Sequence, residues 1–129
     1  MEGRDTTDET TVRASEALGD YGERLAARHL GAAGLEVLAR NWRCELGEID
    51  LVLREGTTLV VCEVKTRSST DYGTPHEAVT PVKAARLRRL AARWMAESGV
   101  RPTDVRFDLV AVVKRRRGAP VLDHVRGAF

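Results

Sequence analysis

Cysteine is scarce, with only Cys44 and Cys62 in 129 residues. Two thiols are too few for a disulfide scaffold, and their spacing matches no metal-ligand pattern, so each reads as a buried free thiol. Long apolar runs are also missing, which excludes a membrane-spanning helix. The opening stretch MEGRDTTDET lacks the apolar segment of a secretory signal, so cytoplasmic residence with no membrane partner is the expectation. Aromatic residues amount to 5%, and Trp42 and Trp94 are expected in the core rather than as base-stacking platforms. The three histidines, His29, His76 and His124, are scattered. What remains is ordinary for one globular domain: 43% apolar and 31% charged residues, enough to build a core and too apolar for wholesale disorder.

The small net charge of +2 conceals an asymmetry. Residues 1–16 hold five acids and two arginines, whereas residues 81–117 hold eleven Lys or Arg against three acids, including the run KRRR from Lys114. Such a basic segment is either a solvated face or a surface that attracts a phosphate backbone.

Periodicity predicts an α/β domain. Residues 1–15 lack any pattern and are expected to form a flexible polar tail, leaving 16–129 as a single domain. A helix is expected from about Asp20, which can cap it, with Leu25, Ala26, Leu30 and Ala33 as its apolar stripe and Gly31 or Gly34 as its end. Three strands follow, LEVLARNWRC, GEIDLVLRE and TLVVCEVKTR, and then a turn-rich loop, SSTDYGTPHEAVTP. Thr80 before Pro81 marks a second helix, which runs to about Ser98 with Leu87, Leu90, Ala91 and Trp94 on one face. VRFDLVAVVK and PVLDHV are the last two strands. The order α-β-β-β-α-β-β implies one mixed sheet flanked by helices.

The second and third strands raise a chemical question. A tight turn at Gly56-Thr57 opposes Ile49 with Val64, Leu51 with Cys62 and Leu53 with Val60, an apolar face. The other face then pairs Asp50 with Glu63 and Glu48 with Lys65. Directly opposed acids have Cβ atoms about 5 Å apart, and their like charges repel one another. Three things can compensate: a raised pKa on one acid, the nearby Lys65, or a divalent cation held by both. A solvated surface pair is the plainer alternative.

The pattern Asp50…Glu63-Val64-Lys65 resembles the D…(D/E)xK signature of the restriction-endonuclease-like superfamily. More specific text surrounds it: Gly19, Gly22, Glu23, Ala26 and Leu30 in a GxxGExxAxxxL pattern, then NWR, GEIDLV, VCEVKTR, a Gly73 loop, Lys83, RFDLV and a terminal GAF. Together these resemble the YraN family of small bacterial proteins from Gly19 to Phe129. That family is similar in fold to archaeal Holliday-junction resolvases and is described as predicted endonucleases.

The resemblance implies a restriction-endonuclease-like core and a catalytic set of Asp50, Glu63 and Lys65. Asp50 and Glu63, with the carbonyl of Val64, would hold Mg²⁺ or Mn²⁺, which would lower the pKa of a water and offset charge on the scissile phosphate. Lys65 would orient that water and stabilise developing negative charge. Glu23 is either a further ligand or the partner of Asp20 in a capping box. Lys83 lies in the first turn of its helix, on the face of Leu87 and Leu90. There it is a phosphate contact, a partner for a site carboxylate, or a lysine snorkelling at the core edge. Arg67 and Arg86, with Arg89 and Arg93, are candidate contacts to a DNA backbone. Asp108 is expected to pair with Arg106 or with the site. The implied activity is metal-dependent hydrolysis of DNA, at branched or flapped structures; the alternative is a non-catalytic nucleic-acid-binding module that keeps the fold. Symmetric cutting of a junction would require a homodimer.

Overall fold

A computed structural model describes residues 6–68 and 79–129, with side chains described from residue 13 onward in the first helix. Gly73, His76 and most of the loop expected between the third strand and the second helix lie outside the described residues.

The elements follow in the expected order: α1 (Thr6–Ala32), β1 (Glu36–Cys44), β2 (Gly47–Glu55), β3 (Thr58–Ser68), α2 (Pro81–Ser98), β4 (Asp104–Lys114) and β5 (Val121–Val125). The strands form one sheet in sequence order. Every neighbouring pair is antiparallel except β3 and β4, which run parallel. This mixed sheet with two helices is consistent with the restriction-endonuclease-like core expected above. No described helix is long and apolar enough to cross a membrane.

One helix covers each face. Ala26 and Leu30 of α1 pack with Leu51, Leu53, Val60, Cys62, Val110 and Val112. Leu87, Leu90, Ala91 and Trp94 of α2 pack with Ile49, Val52, Leu59 and Val61. The strands β2, β3 and β4 are therefore buried on both sides, which explains their near-continuous apolar text.

The second helix starts and stops as its sequence signals. The Thr80 hydroxyl accepts the Lys83 N–H at 3.1 Å, Pro81 opens the first turn, and Gly99 closes the helix at φ 78°. The first helix departs from expectation. It is helical from Thr6, so Asp20 lies within it rather than capping it, and residues 6–15 are helix where a tail was expected. No Gly or Pro interrupts residues 5–18, so nothing in that stretch halts extension toward the N-terminus.

Gly22 sets how closely α1 approaches the sheet. A β-carbon there would run into the side chain of Thr66 on β3. Only glycine allows this contact, which carries the neighbouring Glu23 down to the strands.

Candidate active site

The geometry begins with a split between two strands. The ladder of β2 with β3 follows the expected register, Leu53 with Val60, Val52 with Val61 and Leu51 with Cys62, and pairs no residues beyond Leu51–Cys62. From there β2 continues alongside β1, through Trp42–Ile49, Arg43–Glu48 and Cys44–Gly47. β3 instead continues alongside β4, from Glu63–Leu109 to Ser68–Lys114. Asp50 and Glu63 are the first residues past the fork.

The fork changes the alternation of β2. Ile49 packs against α2, whereas Val64, its expected partner across an apolar face, packs against the α1 cluster. The reversal coincides with Asn41, which adopts a left-handed φ of 51° in β1 between the pairs Arg40–Leu51 and Trp42–Ile49. Asparagine is one of the few non-glycine residues that takes this conformation readily.

The Asp50 carboxylate bridges the fork: its Oδ2 accepts the N–H of Val64 at 2.8 Å. Asp50 is 9% exposed. Burial first, and the charge of Glu63 second, push its carboxyl up to about 8, with Glu23 and Glu48 adding to the rise and the Val64 N–H opposing it. Four acids thus act on one another at this point. Glu23 reaches it from α1, where it interacts with Asn41 and Asp50; burial above all raises its carboxyl, and the Asn41 contact works the other way. With Asp20 inside the helix, a capping box no longer accounts for Glu23.

Two cations stand nearby. Lys83 crosses from α2 to form an ion pair with Glu63 Oε2. Of the roles left open for Lys83, the partner of a site carboxylate is the one that its position matches. Lys65 follows Glu63 by two residues on the same strand, which directs both side chains to the same face. Lys65 forms no ion pair among the described residues. The expected Glu48–Lys65 pair is not formed: Glu48 pairs instead with Arg43, its neighbour on β1, at 3.0 Å. The fork removes Glu48 from β3 and leaves it facing β1.

Among the described residues no three His, Cys, Asp or Glu side chains form a ready-made cation cage. Two carboxylates with a backbone carbonyl nevertheless suit Mg²⁺, which is held by one or two carboxylates and retains several waters. Burial first, and the charge of Glu63 second, raise the Asp50 carboxyl, and a cation bound there would offset both. Asp50, Glu63 and the Val64 carbonyl fit that group.

Of the expected phosphate contacts, Arg86 is exposed on α2, with its stem over Gly47 at the start of β2. Arg67 is half-buried near the end of β3. Arg93 is already engaged, by Glu45 at 2.7 Å and Glu97 at 2.6 Å, because it stands one helical turn before Glu97 and over the β1–β2 turn. Asp108 belongs to a separate network. Its carboxylate is fully buried and takes Arg106, His124 Nε2 and the Gly127 N–H, and Arg106 continues to Glu55. Asn41 is the residue that reading the sequence missed. Its signal was a polar, turn-favouring residue inside a strand, opposite the aspartate.

The sequence profile of Uncharacterised protein family UPF0102 matches residues 22–112. The chain belongs to family UPF0102. Its similarity to other UPF0102 proteins extends over nearly the whole length: 64% identity over 121 residues to one from Nocardioides sp., covering 94% of this chain and 98% of the relative. A UPF0102 protein of Parafrankia sp. is 57% identical over 118 residues, with 92% and 100% covered, and one of Beutenbergia cavernae is 60% identical over 116, with 90% and 98% covered. The matched UPF0102 region includes Glu23, Asn41, Asp50, Glu63, Lys65 and Lys83.

Proposed function

We propose that this UPF0102 protein is a metal-dependent nuclease that hydrolyses DNA phosphodiester bonds, with branched or flapped DNA as the substrate form. The observation that supports this reading is the meeting of Asp50 and Glu63 at the β2–β3 fork, with Lys65 one alternation further along β3. That is the arrangement demanded by the chain's resemblance to the D…ExK nucleases.

In this reading Asp50, Glu63 and the Val64 carbonyl hold Mg²⁺ or Mn²⁺. The ion, when bound, supplies Lewis acidity and neutralises charge at the scissile phosphate. The Val64 N–H donates to Asp50 Oδ2 at 2.8 Å, which anchors that carboxylate at the fork. Lys65 positions the attacking water and stabilises the negative charge that develops on the phosphoryl oxygens. Glu23 is a positioning residue that meets Asp50 from α1, and Asn41 of β1 in turn holds Glu23. Exposed cations at Arg86, Arg89 and the Lys114–Arg117 run meet the DNA backbone without reading its bases.

The test is cleavage of linear, flapped and four-way DNA in Mg²⁺ or Mn²⁺ by wild type and Lys65→Ala. Loss of Lys65 should reduce cleavage by about a hundredfold or more while DNA affinity changes little. Equal cleavage by both proteins would place the activity elsewhere. DNA binding without cleavage by wild type in either metal would identify a binding module that retains the fold.

A further inference from the structure

Lys83 occupies an unfavourable place for a cation. It lies in the first turn of α2, where the helix dipole favours acids, yet that turn holds no acid at all. Its side chain is only 20% exposed, and the Glu63 side chain that it contacts is 14% exposed. Moving a lysine out of water against a helix N-terminus costs free energy, and the contact with Glu63 is what offsets it. Glu63 is the same carboxylate read above as a metal ligand. Lys65, the other cation of the site, is half-buried and forms no ion pair among the described residues, so the cation seated on the carboxylate is Lys83.

We propose that Lys83 is an internal counter-ion that holds Glu63 in the metal-free protein and competes with the divalent cation for it. A metal ion arriving between Asp50 and Glu63 brings two positive charges to the carboxylate that Lys83 already neutralises. The ammonium group then moves off Glu63, and its long stem, anchored in α2 beside the cap of Thr80, swings it toward the edge of the site where a substrate phosphate would lie. The pair stabilises the carboxylates when no ion is present, and its rupture reduces metal affinity. The inference rests on reading Asp50 and Glu63 as the cation site, and it assigns Lys83 a role in metal affinity in addition to any contact with DNA.

Titration calorimetry with Mn²⁺ alone tests it, using the full chain without DNA. Lys83→Met keeps the aliphatic stem and removes the charge; Lys83→Arg keeps the charge. Lys83→Met should bind Mn²⁺ about tenfold more tightly than wild type, the scale of one half-buried charge pair. Lys83→Arg should stay near the wild-type value. Equal or weaker binding by Lys83→Met would overturn the counter-ion role while leaving the metal site intact. Saturable binding absent from wild type, or unchanged by Asp50→Asn, would overturn the metal reading and this inference with it. A second measurement needs no variant: acylation of lysines in wild type, read by mass spectrometry with and without Mg²⁺. Modification of Lys83 should rise on adding Mg²⁺ while that of exposed Lys114 stays constant; an unchanged Lys83 would contradict release from Glu63.

Discussion

Asp50→Asn removes an ionisable group while keeping the side-chain shape and the oxygen that accepts the Val64 N–H. In wild type, burial and then Glu63 push the Asp50 carboxyl up to about 8, against an ordinary value of 3.8. Between those values the native protein holds a proton that the unfolded chain has released. Its stability therefore falls as pH rises, by up to about 1.4 kcal/mol per pH unit. From about pH 5 to about pH 8 the accumulated loss is at most roughly 4 kcal/mol, an upper bound that any hydration of the partly exposed carboxylate reduces. Asparagine carries no such loss. Urea unfolding in EDTA, repeated across this range, should show Asp50→Asn gaining on wild type with each step in pH and exceeding it by pH 8. Adding Mg²⁺ at pH 8 should stabilise wild type and leave the variant unchanged. A difference between the two proteins that ignores pH, or a variant less stable than wild type at pH 8, would refute the claim that burial and the neighbouring carboxylates raise the Asp50 pKa.

Three further outcomes follow from other parts of the molecule. Gly22→Ala should destabilise by about 1–3 kcal/mol because its β-carbon meets Thr66, and Thr66→Ala should recover part of that loss in thermal melts. At the far end of the sheet, burial raises the Asp108 carboxyl but Arg106, Gly127 and His124 outweigh it, leaving its pKa below the ordinary value. That stabilisation is complete above the unfolded value near 4 and disappears as pH falls through the native value, so Asp108→Asn should melt lower at neutral pH and approach wild type in acid. Finally, replacing Arg115 and Arg116 with serine should weaken DNA binding and flatten its dependence on salt by nearly two units of slope, measured by fluorescence anisotropy.

Much of the fold was legible because alternation carries strong information in doubly buried strands. The register of Leu53, Val52 and Leu51 against β3 follows from apolar text alone, as do the caps of α2 at Thr80 and Gly99. The fork did not follow from that text. Whether β2 stays with β3 past Leu51 depends on β1 and β4 competing for the same strands, and a two-strand pattern contains neither. This is why the hairpin pattern alone puts Ile49 on the wrong face and opposes Glu48 to Lys65 instead of Arg43. The left-handed turn at Asn41 is set by the tertiary structure, since an asparagine in sequence permits that conformation without requiring it. Of the candidate site residues, Asp50, Glu63 and Lys65 could be singled out by local spacing. The approach of Glu23 depended on Gly22 meeting Thr66, and the reach of Lys83 on the docking of a whole helix.

The most direct measurement is anomalous scattering from a crystal of the wild-type protein grown with Mn²⁺ and a short DNA duplex. A manganese peak is expected in the β2–β3 fork, within bonding distance of one oxygen each of Asp50 and Glu63, with Lys83 displaced from Glu63. A fork with Lys83 still seated on Glu63, and manganese bound elsewhere or nowhere, would contradict this expectation.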